Sequence, residues 1–236
     1  MRHRKPNRTE KLADDLAQRI LSGAFPIGSL LPAEPELERE YNSSRTVVRE
    51  AIKVLSAKGL VTVRQRHGTH VNNRDQWMWL DGDVIRWLSA DRIDPQELLA
   101  FSEVRRIFEP EAAALAAVRA TETQRRAILL SFAAMSASQD GSEEAIAADK
   151  AFHLAILEAT GNPVLRSLRR AIEAVLDALF PYTIDRYAAN IDNHRLLAQS
   201  IQDKDPEAAR RHMRAVLGET EDFLQAMMLD PVSPAH

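Results

Sequence analysis

LPAEPELEREYNSSRTVVREAIKVLSAKGLV, residues 31–61, is the stretch on which the reading of the chain turns. Glu34 to Tyr41 has the composition of a short helix, and Pro35 is tolerated in a first turn, where its missing N–H has no intrahelical partner anyway. Asn42-Ser43-Ser44 interrupts that helix. Ser43 or Ser44 is placed to cap another helix by accepting from a free backbone N–H, and this one runs to about Lys58 before Gly59 closes it. At helical periodicity Val47, Ala51, Val54 and Leu55 form an inner face, while Arg45, Thr46, Arg49, Lys53 and Ser56 point outward.

On the N-terminal side, Thr9 caps a helix through Leu12, Leu16, Ile20 and Leu21 that ends at Gly23. On the C-terminal side, Leu60-Val61-Thr62-Val63 and Thr69-His70-Val71 read as two short strands around the basic loop Arg64-Gln65-Arg66-His67-Gly68. Helices with a tight polar break, then a basic hairpin, describe a winged helix-turn-helix. The N-terminal end of its last helix enters the major groove first, so outward arginines there meet base edges. The competing reading, a helix whose outer face is merely charged, leaves the agreement of caps, turn and hairpin unexplained.

Charge is divided in the same way. The chain of 236 residues carries a net −3, yet residues 1–72 hold 13 Lys and Arg against 8 Asp and Glu, and the remainder holds 18 against 26. A basic segment joined to a larger acidic one implies two jobs in one chain.

The pattern of residues 31–61 followed by RQRHGTHV resembles the DNA-binding domain of the GntR superfamily of bacterial repressors over about residues 9–71. The resemblance implies that Arg45, Thr46 and Arg49 contact base edges or phosphates of double-stranded operator DNA, and that His67-Gly68 enters the minor groove. Ser44, Lys53, Arg64 and Arg66 complete the candidate set. One position departs from the pattern: many members carry arginine where this chain has Pro35, so one DNA contact used elsewhere is missing.

Residues 73–82 begin as a polar, non-periodic run and are read as a linker between a DNA-binding domain at 1–72 and a second domain at 83–236. WMWLDGDVIRWL, with three tryptophans in eleven residues, reads as a hydrophobic latch between the domains rather than a stacking platform. Beyond Asp94 helical periodicity is continuous, with helices expected near 95–119, 122–138, 142–159, 163–180, 188–203 and 206–228. Breaks are expected at Thr121, Asp140-Gly141, Gly161-Asn162-Pro163, Pro181 and Asp205-Pro206. Short connections make antiparallel neighbours, so the fold expected is mainly α, a winged helix-turn-helix followed by an antiparallel all-α bundle.

DKAFHLAI, residues 149–156, puts Asp149 and His153 one above the other on an otherwise apolar helix. Of the seven histidines, His3 and His236 are terminal, His67 and His70 lie in the hairpin, and His153, His194 and His212 fall in the bundle. One such histidine is most simply a satisfied core residue; three with a carboxylate describe a divalent-metal site lining a cavity. On the last helix the apolar stripe Ala209, Met213, Val216, Thr220, Phe223, Met227 leaves His212 at an edge, about 60° from its centre at roughly 100° per residue. In the first bundle helix, Arg105 stands in the stripe Leu98, Phe101, Phe108, Ala112, Leu115. Its guanidinium either takes a ligand carboxylate in bidentate fashion, with Glu109 in the same pocket, or pairs internally with Glu109.

The order EVRRIFEPEAA, DKAFHLAILEATGNPVL, a late His and DPEAARRHM resembles the FCD effector domain of the FadR subfamily over about residues 83–228, and QWMWLDGDVIRWL looks most like the branch of sugar-acid repressors that includes the galactonate repressor. The resemblance implies a metal, zinc or nickel, on Asp149, His153 and His194, with the family's last histidine falling at Val216 rather than His212, and Arg105 in the effector pocket. It implies a homodimeric repressor released from DNA by a small carboxylate, a sugar acid such as a hexonate. With no cysteine, no signal-like start and no apolar run long enough to span a membrane, a cytoplasmic protein without a membrane partner is expected. Two rivals stay open: a metal-dependent hydrolase or lyase built on the Asp/His cluster, and a DNA-binding protein whose bundle only dimerises.

Overall fold

Helix α1, Arg8–Leu21, starts earlier than its sequence suggests, because Asn7 rather than Thr9 is the cap. The Asn7 side chain accepts from the Glu10 N–H, and the Glu10 carboxylate accepts from the Asn7 N–H, each at 2.8 Å. The computed structural model describes residues 7–89, 93–138, 142–183 and 187–229, so His3, His236 and the expected break at Asp140-Gly141 lie outside the described residues. The chain divides into two compact units, Met1–Arg92 and Ile93–His236.

In the first unit α1 packs on α3, Arg45–Ala57, with α2, Glu34–Glu40, completing the helix-turn-helix. Ser44 caps α3 by accepting from the Val47 N–H. The buried face of α3 is Val48, Ala51, Ile52 and Leu55; Val47 and Val54, expected inside, are only half-buried. The buried stripe is thus rotated by about one position from the expected one. Leu12, Leu16, Leu37 and Leu55 meet in this core, and burying each such side chain is worth about 1.5–3 kcal/mol. The hairpin pairs β1, Val61–Arg64, antiparallel with β2, Gly68–Val71, in the register Val61 to Val71 and Arg64 to Gly68. Leu30 adds a bridge to His70 on the outer edge. Gly59, at φ +78, is needed where α3 turns into β1: a Cβ there would sit 2.0 Å from the Gln76 carbonyl oxygen.

The segment expected to be a linker belongs to this core instead. After a 3-10 turn at Arg74–Gln76 comes α4, Gly82–Leu88, capped by Asp81. Trp77 and Trp87 are buried with Val84 against α1, the Trp87 indole N–H donates to Asp14 at 2.7 Å, and Lys58 pairs with Asp81 and Asp83. Two large indoles bury more apolar surface than a polar hinge can leave exposed, so the boundary between units falls after Arg92 rather than at 73–82. The tryptophans act as a latch within the first unit.

The second unit is built from α5, Pro95–Arg119; α6, Glu122–Ala137; α7, Glu143–Ala159; α8, Pro163–Ser167; α9, Arg169–Thr183; α10, Tyr187–Gln202; and α11, Pro206–Leu229. Asp94, Thr121 and Ser142 cap the first three. The span expected as one helix over 163–180 is two, parted at Leu168, and Pro181 lies inside α9 rather than ending it. Helix α5 runs against α11 and also meets α7, α9 and α10, so it lies at the centre of the bundle. Ala113, Ala116 and Ala117 let the helices approach closely around Phe152, Ile156, Leu197, Ile201 and Met213.

Candidate functional site

Helix α7 carries Asp149 and His153 one turn apart, and α10 brings His194 to meet them. Each offers one ligand atom, and the three lie within 4.8 Å of one another. The imidazole Nε2 atoms of His194 and His153 stand 3.4 and 3.9 Å from Asp149 Oδ1. Both rings are buried, and they pack edge-on to Phe152 and to each other, which fixes their planes.

The second nitrogens decide the tautomers. His194 Nδ1 is 2.9 Å from the carbonyl oxygen of Asn190, a pure acceptor, so that nitrogen carries the proton. His153 Nδ1 is 2.8 Å from Glu109 Oε2, which imposes the same choice. Both Nε2 atoms are thereby turned toward Asp149. His194 Nε2 is buried and makes no hydrogen bond. A buried ring nitrogen without a hydrogen-bond partner, beside a second imidazole and a carboxylate, is an arrangement a divalent cation satisfies, and outer carboxylate and carbonyl partners are what orient metal-bound histidines. The residues fit such an ion.

Electrostatics agree. Burial alone pushes the Asp149 carboxyl up, but His194, His153 and the Arg105 guanidinium outweigh it and hold it below the usual carboxylate range. For Glu109 burial is likewise overcome, by Arg105 and His153, and its carboxyl falls to about 2. Both are anions at neutral pH, and a buried anion needs a positive counterpart.

Arg105 lines the same cavity as Asp149, His153 and His194, with Leu176, Phe180, Asn190, Val216, Glu219 and Thr220 among the other walls. About 590 Å³ of space not filled by protein atoms lies within the cavity and the solvent at its mouth. Arg105 turns its Nε and Nη2 edge to Glu109, at 2.5 and 3.4 Å. Glu109, expected to face the ligand, stands instead behind His153 against Ile156, Leu157 and Met213. The spacing of Arg105 and Glu109 signals their pair, but nothing in it marks the bond to His153. His212 is half-buried and neither joins the cluster nor lines the cavity, whereas Val216 does line it and closes that wall with an apolar group.

On the first unit Ser44, Arg45, Thr46, Arg49 and Lys53 are all exposed along one side of α3, although the Ser44 oxygen is engaged as the cap. Arg64, Arg66, His67 and Gly68 are exposed at the hairpin turn, where Arg66 has φ +65 and the His67 ring nitrogen lies 3.0 Å from the Gln65 carbonyl. The structure adds a residue that no sequence pattern marks: Glu34, beside Pro35, lies 3.4 Å from Arg45 and 3.6 Å from Arg49.

Residues 8–71 match the model of bacterial regulatory proteins, gntR family, and residues 100–219 match that of the FCD domain. The galactonate operon transcriptional repressor of Escherichia coli (strain K12) is 35% identical over 209 residues, 87% of this chain and 91% of that protein. The HTH-type transcriptional repressor NanR of Citrobacter rodentium is 28% identical over 89% of this chain and 82% of its own length. Among solved structures, Lar, which controls the expression of the Listeria monocytogenes agr system, aligns over 95% of this chain with a TM-score of 0.67 at 18% identity, a likeness of fold.

Proposed function

Because the chain belongs to the gntR family of bacterial regulatory proteins and carries an FCD domain, it is a transcription regulator and not an enzyme, and we propose that it is a repressor released from its operator by a sugar acid. The hydrolase or lyase reading falls with that membership. In the proposed cycle Arg45, Thr46, Arg49 and Lys53 on α3 read the major groove and its flanking phosphates, with Ser44 fixing the start of the helix. Arg64, Arg66, His67 and Gly68 follow the minor groove. One such head makes few base contacts, so two copies act as a homodimer on a two-fold site.

The observation that carries the ligand reading is the convergence of one free guanidinium edge and three metal-type donors on a single cavity. Two imidazoles and one carboxylate suit zinc or nickel, and three protein donors leave coordination positions for oxygens from outside. A 2-hydroxy acid supplies two such oxygens, while its carboxylate reaches Arg105. Glu219, Thr220 and Asn190 at the walls are suited to further hydroxyls. The relative that represses a galactonate operon supports a hexonate. Release of DNA then requires that the ligand bind one arrangement of the dimer better than the other.

The test is a gel shift on DNA fragments selected by the protein from a random library, titrated with D-galactonate and other hexonates, with and without zinc. The expected result is release by at least one hexonate when zinc is present, lost in Arg105→Ala. A protein that stays on DNA throughout, with no change in melting temperature from any hexonate, refutes the effector reading and leaves a bundle that only dimerises.

A further inference from the structure

Glu109 takes part in two interactions that the proposed function treats separately. Its carboxylate accepts from Arg105 Nε at 2.5 Å and from His153 Nδ1 at 2.8 Å, and all three side chains are buried. We infer that Glu109 is a positioning residue that makes metal binding and carboxylate binding depend on one another, by holding His153 in its metal-binding tautomer and Arg105 with its free edge to the cavity. The inference rests on the metal and effector reading above and assigns this residue a part in it.

A guanidinium has two edges able to grip a carboxylate, one formed by Nε and Nη2, the other by Nη1 and Nη2. Glu109 occupies the first, and Nη1 makes no hydrogen bond to a described residue, so the second is left for an incoming anion. At His153 a pure acceptor on Nδ1 favours the tautomer whose lone pair lies on Nε2, where Asp149 and His194 wait. Glutamine in its place offers one acceptor to two donors, and its amide N–H stabilises the opposite tautomer, which puts a proton where the metal belongs.

Charge makes the coupling positive. Asp149, Glu109 and Glu219 bring three negative charges to the site and Arg105 one positive. Without a cation these walls repel an anion, and a divalent ion removes the excess. A divalent ion held by Asp149, His153 and His194 would polarise the His153 ring and so strengthen its bond to Glu109. The shared carboxylate would then hold Arg105 less tightly, its contact with Nη2 being already long at 3.4 Å, and the guanidinium would interact more strongly with the ligand. By linkage the ligand must then tighten metal binding by the same factor.

The experiment is calorimetric titration of the full-length chain, stripped of metal, with zinc, alone and with saturating D-galactonate. It compares the wild type with Glu109→Gln and with Arg105→Gln/Glu109→Gln. Metal-free melting curves and circular dichroism establish that each variant folds, and the double variant relieves the unpaired guanidinium should Glu109→Gln alone fail to fold. Wild type is expected to gain at least about fivefold in zinc affinity when the hexonate is present. Glu109→Gln is expected to lose about 10–100-fold in zinc affinity without hexonate, and to lose the gain. Nitrogen NMR of the metal-free protein should find the His153 proton on Nδ1 in wild type and on Nε2 in Glu109→Gln. Unaltered zinc affinity and tautomer in either variant overturns the positioning role. A hexonate gain that survives the substitution overturns the coupling. Wild type that binds zinc but shows no gain with D-galactonate overturns the coupling, while the hexonate panel of the gel shift judges the effector reading and the zinc and NMR arms still judge Glu109 alone. Wild type that takes up no zinc refutes the metal reading and this inference with it.

Discussion

At Val216 an apolar side chain closes a wall of the cavity beside Asp149, His153 and His194. A fourth donor there would complete a tetrahedral shell, so Val216→His is expected to raise zinc affinity by at least about tenfold, read by competition with a chelating dye. Unchanged affinity would mean that the three donors do not share an ion. Single residues differ in how far the sequence exposes them. Asp149 and His153 are legible because two polar groups one helical turn apart break an apolar pattern. His194 is legible only as a residue type, since its partnership needs α10 laid beside α7. The place of Glu109 is not legible: whether a carboxylate faces a ligand or stands behind a histidine depends on a partner 44 positions away in the chain. His212 falls at an edge as expected, because its angle from the stripe follows from helical geometry alone.

Whole elements are easier to read than their faces. Helix α3 has the expected cap and length, yet its buried stripe is turned toward Val48 and Ile52, since which side is covered depends on elements distant in sequence. The outward set survives that turn, and Arg49 is exposed one turn beyond Arg45. Arg49→Ala is expected to cost about 1–3 kcal/mol in operator binding, measured by gel shift, while leaving zinc uptake intact. Helix α4 joins the first unit and does not start the second, and its tryptophans carry no label saying which core they enter. Its first turn holds Asp83, whose carboxyl burial pushes up but Lys58 and then Arg86 pull below the usual range. A lowered folded value means the contribution is present above the unfolded value of about 4 and lost as pH falls through the folded one. Thermal melts of the first unit should therefore lose stability below about pH 4, and less so in Asp83→Asn. An equal acid loss in both proteins would assign it to other carboxylates.

For the whole molecule, the division of labour is visible in charge alone, because a basic segment and an acidic remainder follow from counting residues. The boundary is not, since the acidic count begins wherever one chooses to cut. Metal bound only by the folded second unit stabilises it by mass action, about 2.7 kcal/mol at a hundredfold excess over the dissociation constant. Stripping with a chelator is thus expected to lower the melting temperature of that unit by about 5–10 °C, with recovery on adding zinc. Coincident melts with and without the chelator would count against the ion. All three indoles of the chain, Trp77, Trp79 and Trp87, lie in the first unit, and the second contains none. Under excitation selective for indole, only the DNA-binding half emits. The sensing half is dark, so any change in emission when a hexonate is added reports directly on the passage of the signal from one half to the other, with no label attached.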